Sequence, residues 1–156
     1  MEVRVVKMGE FSVAGIRTYG PYDTSAPEAW TMLAPWLDRT AKDSFEVIYW
    51  GIMHDDLYMT PAHSIRYEAA VSIPADFRHD DTVFVRTIPS CEYAVAEYTG
   101  PYHEVQGIWL RLLWDWLPLS GRCPATQPFM EQYIGSPANT SSALMTTRLY
   151  LPLAPL

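Results

Sequence analysis

Residues 3–14 read VRVVKMGEFSVA, and residues 85–96 read VRTIPSCEYAVA. When Val3 is aligned with Val85, the two segments share a Val, an Arg, a Glu, an aromatic residue, a second Val and an Ala. The turns that follow, YGPY at 19–22 and TGPY at 99–102, match at a slightly shorter offset, which aligns Gly20 with Gly100. A unit of this length that occurs only twice is too long and too rare for a solenoid. We therefore interpret the chain as a tandem duplication.

The two repeats, about 1–78 and 79–156, predict the same order of elements within one domain. Alternating apolar and polar residues predict strands, and a helix follows the Gly-Pro-Tyr turn in each repeat. A strand-helix-strand-strand module written twice predicts an α+β fold with an antiparallel sheet, two main helices on one side and a ligand groove between the modules. The predicted strands are 3–7, 11–18, 46–52, 65–73, 83–88, 92–98, 128–134 and 145–152.

The two helices carry their own start and stop signals. Ser25 and Glu28 have the spacing of a capping box, and Pro35 predicts a kink or an early end of the first helix. Pro118 and Gly121 are expected to end the second helix. Apolar residues recur at helical spacing at Trp30, Leu33 and Leu37 in the first helix, and at Val105, Ile108, Trp109, Leu112, Leu113 and Trp116 in the second.

Composition excludes several classes of protein. The net charge is −7 and the 11 basic residues form no run, which argues against nucleic-acid binding. No stretch approaches the roughly 18 apolar residues of a membrane span, and the N-terminus has no signal-peptide pattern. Two distant cysteines form no redox motif. We expect a cytoplasmic protein with reduced thiols, and we read the segment GSPANTSS at 135–142 as a loop.

Metal and nucleophile patterns are weak. The triplets His54-Asp55-Asp56 and His79-Asp80-Asp81 lack a recognised ligand spacing and lie in turn-like sequence, so we expect no metal site. Cys91 and His103 match no nucleophile–base signature, and we interpret Cys91 as structural. Phosphate-binding and nucleotide-binding glycine motifs are absent from the sequence, and no cofactor is expected.

The strand PFMEQYIG at 128–135 places Glu131 on one face between Phe129 and Tyr133. The face is either exposed, with aromatic cross-strand pairs, or partly buried around the acid. The segment FEVIYWG at 45–51 repeats the aromatic flanks, including Tyr49, but has no acid. A single acid on a buried face is costly unless a cation pairs with it, which favours a ligand site.

Trp30 and Trp109 occupy matching places in the two predicted helices. Helical tryptophans usually belong to the core. If both helices lie on one side of the sheet, however, residues at their facing edges form the walls of the groove between the modules. Both residues are therefore candidates for ligand contact.

Several segments together resemble the GyrI-like small-molecule-binding domain, also known as the effector-binding domain of AraC-type and MerR-type multidrug regulators. The segments are VAGIRTYGPY (13–22), WGIMHDDLYMTPAHSIRYEAAVSIP (50–74), YAVAEYTGPYHEVQGIWLRLLWDWLPLSGR (93–122), PFMEQYIG (128–135) and RLYLPL (148–153). The resemblance spans nearly the whole chain in the family's order. Leu57 departs from it, since the family often has Pro after the two Asp residues.

The resemblance implies a tandem pair of modules with small, often cationic, amphipathic ligands bound between them. It also implies that the acid in the penultimate strand, here Glu131 with Tyr133 beside it, is the charge partner of the ligand. The chain starts at the first strand, so it resembles the stand-alone members, one of which is described as a DNA gyrase inhibitor, and no DNA-reading module is expected.

Three functions follow as hypotheses. The first is a sensor or sequestering protein for hydrophobic cations, with stacking by Phe129, Tyr133 and a helix tryptophan and with Glu131 as counter-ion. The second is a hydrolase of strained cyclopropane-type electrophiles that uses Glu131 as general base. The third is a protein partner of DNA gyrase or of a separate regulator.

Overall fold

The structure is a computed structural model that describes residues 1–41, 43–78, 80–135 and 144–156. The strands are β1 Val3–Met8, β2 Phe11–Tyr19, β3 Tyr49–Met53, β4 Arg66–Ile73, β5 Phe84–Ile88, β6 Cys91–Thr99, β7 Phe129–Ile134 and β8 Thr146–Leu153. The helices are α1 Tyr22–Trp36, α2 Val105–Arg111 and α3 Leu117–Ser120, with π-helical turns at Leu37–Ala41 and Leu112–Trp116. Short 3₁₀ turns occupy Ala62–Ser64 and Tyr102–Glu104.

The strands form one curled antiparallel sheet in the order β1-β6-β8-β7-β3-β4-β2-β5. If each strand is replaced by its counterpart in the other repeat, the same order results when it is read from the opposite edge of the sheet. The sheet therefore has an internal two-fold symmetry. The first strand of each repeat is exchanged: β1 pairs with β6, and β5 pairs with β2. The pairing of β3 with β7 joins the two halves at the centre. The predicted α+β class is confirmed, with every predicted strand present.

The strand pairings relate the two repeats at a single offset, the one that aligns Gly20 with Gly100. The N–H groups of Gly20 and Gly100 donate to the carbonyls of Ile65 and Met145, which correspond at the same offset, at 2.8 and 2.9 Å. Both glycines have positive φ, which L side chains rarely adopt. The strand alignments at other offsets are therefore wrong. The wrong strand alignments differ from the Gly20–Gly100 alignment by an even number of positions. Because alternate residues of a strand face the same side, an even shift keeps apolar residues aligned with apolar residues and is not visible in the pattern.

The helix boundaries differ in detail from the prediction. The predicted capping box is wrong: α1 begins at Tyr22 after Pro21, whose φ of −55° suits a helix start, and Ser25 is buried in the following turn. Pro35 lies in the last turn of α1, and a π-helical turn follows. Pro118 does not stop the second helical segment; Gly121, in the left-handed conformation with φ of 73°, ends it.

The core lies on both sides of the sheet. On the helix side, α1 buries Leu33 and Trp36 against β2 and β4, and Leu112 packs below α2 with the side chains of β6 and β8. The other side is the inside of the curl, where Trp50 and Tyr150 meet with rings 5.2 Å apart. Each such side chain gains about 1.5–3 kcal/mol on burial. No helix in the described ranges is long and apolar enough to cross a membrane.

The predicted turn residues are placed as far as the structure describes them. In the first triplet, the Nε2 atom of His54 lies 2.9 Å from the carboxylate of Glu68, and Asp55 accepts a 2.8 Å hydrogen bond from Arg66. His79 of the second triplet lies outside the described residues, as does most of the loop predicted at 135–142. Cys91 is buried at the start of β6.

Candidate ligand-binding site

Glu131 lies in the middle of β7, at the centre of the sheet and on the side that carries the helices. The alternation of β7 places Phe129, Glu131 and Tyr133 on that side, as predicted, and Met130 on the other. The Glu131 side chain is 2% exposed. Its carboxylate is therefore enclosed by protein, and its immediate partners decide its chemistry.

Three neutral side chains donate hydrogen bonds to this carboxylate. The hydroxyls of Tyr102 and Tyr133 donate to Oε2 at 2.6 and 2.7 Å, and the indole Nε1 of Trp109 donates to Oε1 at 2.7 Å. Tyr102 comes from the 3₁₀ turn before α2, and Trp109 comes from α2 itself. Among the described residues, no Lys, Arg or His forms an ion pair with Glu131. The charge is held by neutral donors alone.

A hydrogen-bond chain extends this cluster to the first module. Trp30 of α1 donates through Nε1 to the hydroxyl of Tyr67 at 3.0 Å, and the hydroxyls of Tyr67 and Tyr133 lie 2.9 Å apart. Tyr133 has a single proton, which goes to Glu131, so Tyr67 is the donor to Tyr133. Every donor along the chain therefore points toward Glu131.

Gly51 makes room for the tyrosine hydroxyls. It is the direct cross-strand partner of Glu131 and, in the Gly20–Gly100 alignment, also its equivalent in the first repeat. A Cβ atom built on Gly51 would lie 2.3 Å from the hydroxyl oxygen of Tyr133 and 2.6 Å from that of Tyr67. The carboxylate of Glu131 and the missing side chain of Gly51 thus belong to the same site, which lies at the symmetry centre of the sheet.

Aromatic rings surround the polar centre. Trp109 stacks on Phe129 with ring centroids 5.2 Å apart and planes inclined by 19°. The ring centroid of Trp30 lies 5.8 Å from that of Tyr133 and 6.0 Å from that of Tyr49, both in edge-to-face arrangements. The structure thus brings together all six residues predicted for the site. Tyr49, however, packs on Trp30 rather than on Glu131.

Sequence reasoning missed Tyr67, Tyr102, Tyr22 and Gly51. Tyr22 and Tyr102 end the two Gly-Pro-Tyr turns, so their repetition was a usable signal for a shared role beside the groove. The ring of Tyr22 meets that of Tyr67 at 5.9 Å. Tyr67 carried no signal, because a tyrosine within an apolar strand is ordinary core.

Burial controls the ionisation of the cluster. Loss of solvent raises the pKa of Glu131, and the hydrogen bonds from Tyr102, Trp109 and Tyr133 only partly oppose this. Burial and the nearby Glu131 carboxylate raise the pKa of Tyr102 and Tyr133 well above the usual range. The site holds a destabilised carboxylate, which a cation entering the cluster would stabilise.

Access to the carboxylate is limited by aromatic side chains. Trp30 and Trp109 are 8% and 9% exposed, and Tyr133 is 4% exposed. Tyr102, on its short 3₁₀ turn, is only half-buried. Tyr102 is therefore the donor whose displacement would open the site with the least disturbance.

Fold and site together define a two-module α+β domain with a buried acidic centre beneath two helices. The chain belongs to the GyrI-like family, because the sequence model of the GyrI-like small molecule binding domain matches residues 1–154. The DNA gyrase inhibitor of Erwinia billingiae (strain Eb661) is 26% identical over 164 residues, covering 99% of this chain and 98% of that relative. The resemblance seen in the sequence is confirmed.

Solved structures share the fold. The EcmrR C-terminal domain has a TM-score of 0.79 at 14% identity, covering 99% of this chain and 98% of its own. A hydrolase encoded by lin2189 from Listeria innocua has a TM-score of 0.70 at 14% identity, covering 98% and 92%. SAV2435 bound to tetraphenylphosphonium has a TM-score of 0.61 at 15% identity, covering 99% and 94%. At these identities the likeness concerns the fold alone.

Proposed function

We propose that this protein binds hydrophobic cations in the aromatic cluster, with Glu131 as the counter-ion, and acts in sensing or sequestering them. The observation that carries the proposal is the buried carboxylate whose hydrogen-bond partners in the described chain are all neutral. A buried charge without an opposite charge is costly, and proteins usually pair it. A cationic ligand supplies the missing partner.

The expected interaction energies are sufficient for moderate affinity toward a broad range of cations. A cation about 4 Å from the carboxylate gains up to ~4 kcal/mol at an effective dielectric constant near 20, before desolvation. Contact with an aromatic face adds roughly 0.5–2 kcal/mol. Trp30, Trp109 and Phe129 offer such surfaces on both sides of Glu131. Stacking tolerates varied ligand shapes, so affinities in the micromolar range are expected.

Binding requires the cluster to open. Displacement of the half-buried Tyr102 frees one lone pair of Glu131 and leaves the donors Trp109 and Tyr133 in place. The distant structural neighbour solved with tetraphenylphosphonium supports a lipophilic cation as the ligand class for this fold.

The direct test is binding of tetraphenylphosphonium and of a lipophilic cationic dye to Glu131→Gln. Because this change removes the counter-ion but keeps the shape, we expect at least a tenfold loss of affinity, measured by calorimetry. Glu97→Gln, on an exposed residue paired with Arg148, makes the same change of net charge and is expected to bind like the wild type. Unchanged affinity in Glu131→Gln would reject Glu131 as the anchor.

The raised pKa of Glu131 predicts that binding depends on pH. The cation binds the ionised carboxylate, so affinity rises with pH while the free protein loses this proton, and levels off above the raised pKa. Below that plateau, binding releases a proton, which calorimetry in buffers of different ionisation enthalpy detects. A flat profile from pH 4 to pH 8 would contradict the assignment.

A second candidate is hydrolysis of strained electrophiles. The hydroxyls of Tyr102 and Tyr133 lie within hydrogen-bonding distance of Glu131, and a structural neighbour is named a hydrolase. Glu131 would take a proton from water, and the water oxygen would bond to a strained ring carbon while the bond from that carbon to its ring neighbour breaks. A tyrosine hydroxyl would protonate the released ring atom, and the proton held by Glu131 would then return to the tyrosine. Turnover of a reactive cyclopropane compound that Glu131→Gln abolishes would favour this function; reversible binding without turnover would exclude it.

A third candidate is interaction with DNA gyrase, which rests on the curated relative named a DNA gyrase inhibitor. A supercoiling assay with purified gyrase tests it. Inhibition at a stoichiometric concentration of this protein would support the candidate, and unaltered supercoiling at a large excess would reject it. A pull-down with purified gyrase gives a second measure that does not depend on inhibition.

A further inference from the structure

A second charged cluster lies on the opposite side of the sheet from Glu131. Glu68 follows Tyr67 in β4, so the two side chains point to opposite faces. The Glu68 side chain is 1% exposed, and it meets Arg17 from β2 and Arg86 from the edge strand β5. His54, just after β3, completes the set. Three side chains from different parts of the chain thus converge on the carboxylate of Glu68.

The cluster has more positive than negative charge. Arg17 donates to Glu68 Oε2 through Nε and Nη2 at 2.9 and 2.7 Å, and Arg86 donates through Nη1 to Oε2 at 3.0 Å and through Nη2 to Oε1. Burial alone would raise the pKa of Glu68, but the hydrogen bonds from His54 and Arg86 lower it to about 2. The carboxylate is therefore ionised at neutral pH, and the net charge of the cluster is at least +1.

The pairing of two arginines with the single carboxylate of Glu68 is unusual within the described chain. Arg39, Arg66, Arg122 and Arg148 each form an ion pair with a single carboxylate. A buried Glu needs compensation, but one bidentate Arg already supplies it. The second Arg is more than the internal charge of Glu68 requires.

Both guanidinium groups remain accessible. The side chains of Arg17 and Arg86 are 33% and 31% exposed, and each has N–H groups beyond the two that Glu68 takes. They line an open cavity of about 350 Å³, together with Glu68, Phe84 and Val85. Arg86 lies over the ring of Phe84, 5.2 Å from its centre. The cavity therefore presents N–H donors of two guanidinium groups beside the apolar ring of Phe84, and its volume suits a small molecule.

We propose that this cavity is a second binding site, for small organic carboxylates, in which Arg17 and Arg86 bind the carboxylate group and Phe84 contacts the apolar part of the ligand. Guanidinium forks match the planar carboxylate. The site is independent of the proposed function, because it lies on the other face of the sheet and has the opposite sign of charge.

Benzoate is the probe, with acetate and inorganic phosphate as comparisons, and each is titrated into the intact 156-residue chain at constant ionic strength. We expect saturable binding of benzoate, weaker binding of acetate because it lacks the ring, and weaker binding of phosphate because it lacks the apolar part. In NMR spectra, benzoate is expected to shift the amide signals of Phe84, Arg86 and Arg17, but not those of Gly51 and Glu131. Absence of saturation, or shifts confined to other regions, would overturn the proposal.

A matched pair of variants tests whether benzoate binding depends on the positive charge of Arg86. Arg86→Gln is expected to weaken benzoate binding at least fivefold, while Arg17 still forms its ion pair with Glu68. Arg148→Gln is the control: in the Gly20–Gly100 alignment, the cross-strand pair Arg148–Glu97 corresponds to Glu68–Arg17 with the charges exchanged. It removes one Arg of the same kind without touching the cavity. Equal loss in both variants, or none in Arg86→Gln, would overturn the proposal. The NMR test on the wild type decides the question if Arg86→Gln does not fold.

Discussion

At the scale of single residues, Glu68 and Glu131 are the only Asp or Glu residues buried in the described chain, and the protein treats them in opposite ways. Glu68 is surrounded by cations, and its pKa falls to about 2. Glu131 is surrounded by neutral donors, and its pKa rises. Glu68 stabilises the folded state at neutral pH, whereas ionised Glu131 lowers its stability, which is the cost expected of the proposed counter-ion.

Because burial of the ionised Glu131 carboxylate lowers the stability of the folded state, we predict that Glu131→Gln raises it. A raised pKa in the folded state means that the contribution of Glu131 is favourable below its ordinary value of 4.5 and is lost as the pH rises through the raised value. At pH 8 we expect Glu131→Gln to be more stable than the wild type by about 1 kcal/mol, or roughly 2–4 °C in Tm. The difference should disappear near pH 4.

Thermal unfolding at pH 4 and pH 8 measures this gain, with Glu97→Gln as the control for surface charge. A variant that is less stable than the wild type at pH 8 would show that the three hydrogen bonds outweigh the burial of the charge. The combination of higher stability and weaker cation binding is the expected mark of a functional carboxylate.

At the scale of elements, the pairing of β3 with β7 positions the site. Gly51→Ala in β3 would place a Cβ atom 2.3 Å from the Tyr133 hydroxyl and 2.6 Å from that of Tyr67. Because both rings are buried, relief requires a shift of the cluster. We expect a loss of about 1–3 kcal/mol in the free energy of unfolding, together with weaker dye binding.

Gly107→Ala is the matched control for this change. Gly107 is exposed in α2, and a Cβ there meets nothing within 4 Å. Helix propensity predicts a gain of about 0.5–1 kcal/mol. Urea denaturation of the two variants compares them directly. If Gly51→Ala were as stable as Gly107→Ala, the close approach of the tyrosines to Gly51 would not be a constraint.

At the scale of the whole molecule, the exchanged first strands join the repeats. β1 has its sole strand partner in β6, and β5 has its sole strand partner in β2, among the described residues. A fragment of residues 1–78 or 79–156 would therefore lose three pairings: β1–β6, β2–β5 and, at the centre of the sheet, β3–β7. Each fragment would keep three paired strands beneath its own helix, but residues of both repeats form the core on the inside of the curl, and that core would be divided.

We expect neither fragment to fold as a monomer, and we expect the two fragments to form a one-to-one complex when refolded together. Circular dichroism and light scattering after size-exclusion chromatography measure both outcomes. A monomeric fragment with cooperative thermal unfolding would show that one repeat suffices for a core. Failure of the mixture alone would show that the covalent link is required.

Local sequence patterns were enough to predict the eight strands, the two helical regions, the two Gly-Pro-Tyr turns and the face that Glu131 shares with Phe129 and Tyr133. These features are local, because alternation, helical spacing and turn residues act within a few positions of the chain. The six candidate site residues also came from such patterns. They lie together because β7 pairs with β3 at the centre of the sheet, on the side that both helices cover.

Contacts between distant parts of the chain set the register of the two repeats, the partners of Glu131 and the cluster around Glu68, and local patterns predicted none of these. Alignments of the repeats that differ by an even number of positions preserve the same alternation, so the pattern could not tell that Gly51 lies opposite Glu131. Tyr102 reaches the acid, and Tyr67 reaches the neighbouring hydroxyl of Tyr133, from distant parts of the chain. Whether a buried carboxylate meets cations or neutral donors depends on contacts across strands, and local sequence carries no information about those contacts.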